Sequence, residues 1–298
     1  MNTQRPKTVE FLQEGLRRVL AGNSSPMTHW GTNTYIVGTG KVAIIDPGPA
    51  NPKHLQNILA ALEFGETISH IFVTHAHLDH SPLADALSQA TGAPVLAFGD
   101  AKAGRSTIMK QLARTGLTAG GEGVDIKFAP DETLANGQSV SGEDWELTAL
   151  WTPGHMGNHL CFQWGDVVFT GDHIMGWASS LVSPPDGDLT DFMSSTARLA
   201  ELNAHMFYAG HGDPIAEPNA RAKWLINHRR KRECSILDAL KTGPTNISSL
   251  TKTIYTDIPP ELAPAAERNV FAHLIDLVQS SKAQTLGPLG FNASFHLS

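Results

Sequence analysis

The amino-acid sequence predicts a layered α/β fold in which helices cover β-sheet. Short runs rich in β-branched and aromatic residues alternate along most of the chain with segments of helical periodicity. Each of these β-type runs leads into a cluster of polar, glycine or proline residues. Because catalytic groups collect at the carboxyl ends of strands in α/β proteins, these endings are where a functional site is expected.

The expected elements follow one another along the chain. Strands are predicted at 35–37, 42–45, 71–73, 147–151, 167–169 and 206–208. Helices are predicted at 53–62, 81–91, 104–114 and 188–201. Pro82 suits the first turn of its helix. The first segment stays open, because residues 9–20 fit a helical stripe while 16–21 fit an edge strand equally well.

The chain changes character near Pro218. Helices are predicted at 219–240, 247–255 and 265–281, and a short strand pair within 287–297. Three helices with a terminal hairpin predict a small winged-helix-like domain. We therefore expect a catalytic domain at 1–218 and the winged-helix-like domain at 219–298.

Composition and charge argue against several classes of protein. The 298 residues, 41% of them hydrophobic, suffice for one large globular domain with a small appendage. The net charge of −7 argues against non-specific binding to nucleic-acid phosphates as the main activity. No segment approaches the roughly 18 apolar residues of a membrane span, and residues 1–20 lack the apolar core of a secretory signal. Cys161 and Cys234 lie outside any C-x-x-C spacing, which suggests neither a disulfide framework nor a thiolate metal site and fits a reducing compartment. Together these features predict a soluble, cytoplasmic protein without a membrane partner.

One loop carries a high density of potential metal ligands. His75-x-His77-x-Asp79-His80 places three imidazoles and one carboxylate directly after the strand predicted at 71–73. Such a group of side chains needs a partner, and zinc, manganese or iron supplies one, because these metals accept imidazole nitrogen and carboxylate oxygen. Similar residues recur after later predicted strands, namely His155, Asp172 and His211. The pattern predicts a metal site assembled from several strand ends rather than a solvated histidine-rich loop.

The motifs also occur in the order of a known family. His75-x-His77-x-Asp79-His80, then Thr152-Pro153-Gly154-His155, Thr170-Gly171-Asp172 and Gly210-His211-Gly212, resemble the metallo-β-lactamase-fold hydrolase superfamily. The resemblance covers roughly residues 14–217 and implies an αββα sandwich with the metal site at one edge of its two sheets. It implies a first metal on His75, His77 and His155, a second on Asp79, His80 and His211, and Asp172 bridging both. Asp46 is implied to orient a ligand imidazole, with a simple Asp-Pro-Gly turn as the alternative.

This ligand set implies a hydrolase that activates water. Two divalent ions, most simply Zn²⁺ with Mn²⁺ or Fe²⁺ as alternatives, lower the pKa of a bridging water from about 15.7 toward about 7, which makes hydroxide available. Asp172 is the expected bridge, and Asp79 is the expected proton shuttle to the leaving group. The segment 177–186 is the expected wall or lid of the pocket. The substrate is expected to be a small molecule with an ester-type bond, as in a thioester, a lactone or a β-lactam.

Alternative functions stay open. The Thr32-Asn33-Thr34-Tyr35 motif, the loop at 171–177 and the helical tail resemble a branch that carries a winged-helix-type domain and includes endoribonucleases. RNA is then the alternative partner, contacted by Arg229, Arg230, Lys231 and Arg232, although a basic run on a helix is usually a solvated face. A mononuclear-iron persulfide dioxygenase and a non-catalytic binding protein are further alternatives. The sequence leaves open whether the protein forms a homo-oligomer.

The remaining histidines and one tryptophan have weaker expectations. His159 is expected near the site without an assigned role. The other histidines are expected on the surface or as hydrogen-bonded core residues, namely His54, His70, His173, His205 and His228. Trp177 is expected either in the pocket wall or in the core.

Overall fold

The computed structural model describes residues 5–118 and 123–298. Two β-sheets and flanking helices form the larger part of the chain, and a third, small sheet belongs to the C-terminal part. The prediction of an α/β sandwich is therefore confirmed.

The first sheet has seven strands in sequence order. They are β1 (Val9–Gln13), β2 (Leu16–Leu20), β3 (Asn33–Val37), β4 (Lys41–Ile45), β5 (Thr67–Phe72), β6 (Val95–Ala97) and β7 (Glu132–Thr133). Strands β1 to β4 are antiparallel, and β4 to β7 are parallel. The parallel strands β4 and β5 end at the same edge of the sheet, which brings the loops after Ile45 and Phe72 together.

The second sheet has five strands. They are β8 (Ser139–Ser141), β9 (Glu146–Trp151), β10 (Leu160–Trp164), β11 (Val167–Gly171) and β12 (Met206–Ala209). Their order is β12-β11-β10-β9-β8, and only the β11–β12 pair is parallel. A backbone hydrogen bond from Asn33 N to Gly210 O (2.8 Å) joins the start of β3 to the end of β12. The two sheets therefore meet at the edge where their parallel strands end.

The main core lies between the two sheets. Phe72 of β5 packs edge-on against Phe162 of β10, with 5.2 Å between ring centroids, and both side chains are fully buried. Helices occupy the outer layers, namely α1 (Pro52–Ala60), α2 (Ala84–Thr91) and α4 (Leu189–Glu201). The buried side of α3 (Thr107–Arg114) instead packs in the apolar cluster of the C-terminal part. A second apolar cluster joins buried residues of β4 and β5, such as Ile44 and Ile71, to Ile58 of α1 and Leu87 of α2. The sequence predicted α2 and α3 to begin earlier, at 81 and 104, and both begin one turn later.

The N-terminal segment is a hairpin. Strands β1 and β2 pair antiparallel, and Gly15 takes the positive φ of +68° in the turn between them. The strand alternative for 16–21 is therefore the correct one, and the helical stripe is wrong. Strand β2 is not at the edge, because β1 and β3 flank it. Both faces of β2 are also covered, because Leu16 packs between the two sheets and Val19 packs on the helix-covered side, so all five of its residues are buried.

The C-terminal part contains three helices and a small sheet. The helices are α5 (Pro218–Leu240), α6 (Ile247–Ile254) and α7 (Ala263–Gln279), with a 3₁₀ turn at Pro260–Leu262. The strands are β13 (Thr245–Asn246), β14 (Ala283–Leu286) and β15 (Ser294–Leu297), all paired antiparallel. The expected strand pair within 287–297 is partly wrong, because β14 ends at Leu286. Gly287, with φ +91°, forms the turn that follows it.

The basic run of α5 does not form one solvated face. Arg229 is 2% exposed and donates to the carbonyl of Ser180. The guanidinium of Arg232 lies 3.9 Å from the centroid of the Tyr255 ring and donates to Ile254 O at 3.1 Å. Arg230 and Lys231 are exposed. Arg229 is therefore unavailable for the phosphate contact that the sequence suggested.

None of the described helices is both long enough and apolar enough to cross a membrane.

Candidate metal centre

The seven predicted ligands lie together where the parallel strands end. Four of them occupy the loop after β5, and the other three follow β9, β11 and β12. They are His75, His77, Asp79, His80, His155, Asp172 and His211. The seven residues form three overlapping groups, and within each group the possible ligand atoms lie within 4.8 Å of one another. The fold thus assembles the motif residues that the sequence keeps up to 136 positions apart, counted from His75 to His211.

The first group consists of three imidazoles. His77 Nδ1 lies 2.9 Å from His75 Nε2 and 3.1 Å from His155 Nε2, so three ring nitrogens converge on one point. Burial lowers the pKa of all three rings, that of His77 to about 3, and the neighbouring imidazoles add to the effect. Neutral imidazole is the form that binds a metal ion.

The second group combines carboxylates with imidazoles. Asp79 Oδ2 lies 3.1 Å from His211 Nε2 and 3.3 Å from His80 Nε2. Asp172 lies between the groups: its oxygens are 3.4 Å from His80 Nε2, 3.3 Å from His211 Nε2 and 3.9 Å from His155 Nε2. Within residues 5–118 and 123–298, Asp172 is therefore the one carboxylate with oxygens this close to ring nitrogens of both groups.

The charges of the second group compensate one another. Burial alone would lower the pKa of His80 and His211, but the carboxylates of Asp79 and Asp172 outweigh it. They raise the pKa of His211 to about 10 and that of His80 well above its usual value. Burial alone would raise the pKa of Asp79 and Asp172, but the imidazolium ions of His80 and His211 outweigh it and hold both pKa values well below the usual range. Without metal, two imidazolium ions balance the two carboxylates.

Several buried atoms of this centre have no hydrogen-bond partner. They are His80 Nε2, Asp79 Oδ1 and Asp172 Oδ1. Unpartnered polar atoms are unfavourable in a protein interior, and metal ions in the centre would satisfy His80 Nε2 and Asp172 Oδ1. The donor set of imidazole nitrogens and carboxylate oxygens also suits zinc and neighbouring first-row ions. The cluster is therefore capable of binding metal ions.

The outward nitrogens of four rings are held by oxygen atoms. His155 Nδ1 lies 2.7 Å from Leu181 O, and His211 Nδ1 lies 3.1 Å from Gly31 O. A carbonyl only accepts, so each Nδ1 carries a proton and each Nε2 faces the centre. In neutral His155 this leaves a lone pair on Nε2, whereas His211 without metal also carries a proton on Nε2, which a metal ion would displace. His75 Nδ1 lies 2.9 Å from Thr74 Oγ1 in the same sense. The sequence analysis missed these partners, because backbone carbonyls leave no signal in a sequence.

Asp46 orients the fourth ring. Its Oδ2 accepts from His80 Nδ1 at 2.8 Å, and its carboxylate also accepts from the backbone N–H and the hydroxyl of Thr74, both at 2.8 Å. Asp46 has a φ of +53°, a conformation that aspartate and asparagine tolerate better than most residues. The structure therefore agrees with the implied orienting role, and a simple turn does not explain the contacts.

The histidines without an assigned role differ in their surroundings. His159 is buried beside His75, with 5.1 Å between ring centroids, and its Nε2 has no hydrogen-bond partner. His173 and His54 are buried and hydrogen-bonded through Nε2 to Thr196 Oγ1 and Thr34 Oγ1. His205 is exposed. Of these rings, only His159 lies directly against a residue of the first group.

Family models match two parts of the chain. A model described as the metallo-beta-lactamase superfamily matches residues 27–211, and one described as the beta-lactamase associated winged helix domain matches residues 247–287. The first match contains all seven residues of the centre. The second covers α6 and α7 of the small C-terminal domain.

Curated relatives extend over most of the chain. The chain is 31% identical over 282 residues to lactamase-like protein adaB of Aspergillus niger, covering 89% of this chain and 80% of the relative. It is 30% identical over 283 residues to a beta-lactamase-like protein 2 homolog of Drosophila melanogaster, covering 92% and 91%. It is 29% identical over 274 residues to the atrochrysone carboxyl ACP thioesterase of Aspergillus fumigatus, covering 86% and 78%.

Solved structures share the fold. A metallo-beta-lactamase family protein from Thermus thermophilus superimposes with a TM-score of 0.77 at 24% identity, covering 97% of this chain and all of that one. Because the identity is below 25%, this likeness concerns the fold alone.

Proposed function

The chain belongs to the metallo-beta-lactamase superfamily, and on that basis we propose that it is a metal-dependent hydrolase of small-molecule thioesters. The observation that carries the proposal is the convergence of five imidazoles and two carboxylates at the edge where the two sheets meet. One relative, 29% identical to this chain, is named a thioesterase, which supports the choice of bond. The resemblance in four motifs is confirmed as far as family and fold are concerned.

In this proposal the chain holds two ions. His75, His77 and His155 would hold one, and Asp79, His80 and His211 would hold the other. Asp172 would serve both, because its oxygens face ring nitrogens of both groups. Divalent ions there would supply Lewis acidity, which lowers the pKa of water from about 15.7 toward about 7 and polarises a carbonyl oxygen. Zinc is the simplest choice, and manganese and iron suit the same donors.

Asp79 is the residue placed to move a proton. Its side chain is 14% exposed, whereas the side chains of His80, His155, Asp172 and His211 are at most 1% exposed. Its Oδ2 faces His80 and His211. Its Oδ1 has no hydrogen-bond partner. When hydroxide adds its oxygen to the acyl carbon and the C–S bond breaks, Asp79 would pass the one proton of that hydroxide to the departing sulfur, so that a carboxylate and a thiol leave. A thiol has a pKa of about 8.5, so thiolate is a good leaving group. Its departure therefore needs little assistance from a proton donor, and one carboxylate suffices.

The contacts of α5 weigh against single-stranded RNA as the substrate. Arg229 and Arg232 are engaged with the protein itself, which leaves Arg230 and Lys231 of the basic run free to reach phosphates. Two exposed cations give a weak electrostatic footprint for a polyanion.

A substrate panel tests the proposal. Zinc- and manganese-loaded protein is assayed on acetyl-N-acetylcysteamine, a lactone, a β-lactam, a phosphodiester and single-stranded RNA, with Asp172→Ala purified in the same way as the control for contaminating hydrolases. We expect thioester hydrolysis that Asp172→Ala lacks. RNA cleavage without thioester turnover would replace the proposal by an endoribonuclease. One iron per chain with oxygen uptake would indicate a dioxygenase, and no turnover of any compound would indicate a binding protein.

A further inference from the structure

A cavity of about 200 Å³ lies between the C-terminal domain and the segment that follows Asp172. One wall comes from the segment that follows Asp172 and includes Met175, Trp177 and Leu181. The opposite wall comes from the C-terminal part and includes Leu262 and Ala265. Both domains are therefore needed to form it.

The cavity adjoins both ligand groups of the centre. Leu181 lines it, and the carbonyl of the same residue accepts the hydrogen bond from His155 Nδ1. Trp177 also lines it and packs on the loop that carries His211: a β-carbon at Gly212 would lie only 2.6 Å from the Trp177 ring. Two wall residues of the cavity therefore contact the residues that carry and orient ligands of both groups.

The lining favours an apolar group. Among the described residues that form the walls, none carries a charged side chain, and Met27 and Met175 offer side chains that adapt to irregular shapes. The volume is below the 300–1,000 Å³ common for drug-sized ligands, which fits one arm of a substrate.

We propose that this cavity binds the acyl group of the substrate, so that the enzyme selects thioesters with an apolar acyl chain of medium length. The inference rests on the proposed thioester hydrolysis and adds its specificity. It also gives the C-terminal domain a function, since Leu262 and Ala265 close the acyl site from that side.

A chain-length series tests it on the metal-loaded, full-length protein. Acyl-N-acetylcysteamine thioesters from acetyl to decanoyl are hydrolysed, and kcat/KM is expected to rise roughly fourfold per added methylene until the cavity is full. Ala265→Phe fills the cavity and is expected to remove this rise. Lys252→Phe adds the same ring to an exposed position of the same domain and is expected to keep it.

The outcomes separate the inference from the proposed function. A flat series in the wild type, or a rise that survives Ala265→Phe, would overturn the acyl site while leaving thioester hydrolysis intact. Absence of hydrolysis with every thioester would overturn the proposed function itself. If Ala265→Phe does not fold, Leu262→Ala tests the opposite direction: it enlarges the cavity and should move the plateau to longer chains, and an unchanged plateau would contradict the inference.

A different set of contacts links the C-terminal domain to a residue of the first group. Arg229 of α5 is buried, and among the described residues it contacts no carboxylate. Its guanidinium donates to Ser180 O and, at 3.0 Å, to Asn269 Oδ1. Asn269 Oδ1 also accepts from Val182 N at 3.1 Å. The two residues that flank Leu181 are thus fixed by side chains of α5 and α7.

The geometry points to Arg229 as a positioning residue for His155. By fixing the segment 180–182 it holds Leu181 O at 2.7 Å from His155 Nδ1, and this bond keeps Nε2 directed at His77 and Asp172. Burying a guanidinium costs free energy unless strong partners compensate for it. Arg229 is buried although its hydrogen-bond acceptors are two neutral oxygens, which agrees with a positioning role.

Metal affinity tests this role without recourse to activity. Arg229→Met is expected to weaken zinc binding in chelator competition by roughly 10–100-fold and to change the absorption spectrum of the cobalt-loaded protein. Arg229→Lys, which keeps one donor, is expected to restore part of the affinity. Arg232→Met removes a neighbouring guanidinium that does not touch the segment and should leave affinity and spectrum unchanged. Unchanged zinc affinity in Arg229→Met, or an equal loss in Arg232→Met, would refute the role.

Discussion

Replacing Asp46 by asparagine tests how the second group is oriented. Asparagine has nearly the shape of aspartate and tolerates the φ of +53°, so the backbone is expected to stay in place. One of its two polar atoms must now be an NH₂ group, whereas all three partners of Asp46 donate: Thr74 N, Thr74 Oγ1 and His80 Nδ1. If the NH₂ faces His80, the ring is forced to carry its proton on Nε2, the atom that faces Asp79 and Asp172.

The expected size follows from the loss of one orienting partner. Such partners change metal affinity or activity by about 10–100-fold, which corresponds to about 1.4–2.7 kcal/mol. The assay is zinc binding in competition with a chromophoric chelator, followed by metal analysis of the dialysed protein. Asp46→Asn should lose affinity at one of its sites and retain the other.

Asp144→Asn is the matched control. Asp144 is an exposed carboxylate that accepts hydrogen bonds from the N–H and hydroxyl of Thr39 and from no residue of the centre. The same chemical change there should leave zinc binding unchanged. Wild-type affinity for both ions in Asp46→Asn would refute the argument that this carboxylate sets the state of His80.

Two further predictions concern protons and packing. Because the pKa of His211 is raised to about 10 and that of His80 is also raised, both rings are protonated at neutral pH without metal, so zinc binding should release protons and its affinity should increase as the pH rises toward 10. Calorimetry in buffers of different ionisation enthalpy measures the release, and a binding enthalpy independent of the buffer would contradict the prediction. Phe72→Ala should lower the free energy of unfolding by about 3–5 kcal/mol in urea titrations, because it leaves a cavity between the sheets. Phe64→Ala, at a fully exposed position, should change it by no more than about 0.5 kcal/mol, and equal losses would show that the intersheet core has been misplaced.

The sequence predicted the residues of the centre because their side chains carry the signal. His75, His77, Asp79 and His80 occupy one loop, and His155, Asp172 and His211 each follow a recognisable strand. What positions these side chains was not predictable in the same way. Gly31 and Leu181 act through carbonyl groups, which every residue has, so their role depends on where the fold places them.

Two elements were ambiguous for a physical reason. The residues of β2 have apolar side chains at spacings that suit both a helix and a strand, and pairing with β1 and β3 decides for the strand. On α5, consecutive side chains point about 100° apart, so a run of cations must face several directions. Which one is buried depends on the partner surface: Arg229 meets the segment 180–182, while Arg230 faces solvent.

The most direct test of the metal-dependent hydrolase is to measure metal content and thioester turnover on the same samples. Wild-type protein, dialysed after zinc loading, is expected to contain about two zinc ions per chain and to hydrolyse acetyl-N-acetylcysteamine. Asp172→Ala is expected to keep its circular dichroism spectrum, to lose at least one ion and to lose nearly all turnover, because Asp172 contacts both groups. Hydrolysis that persists after both ions are gone would contradict the account.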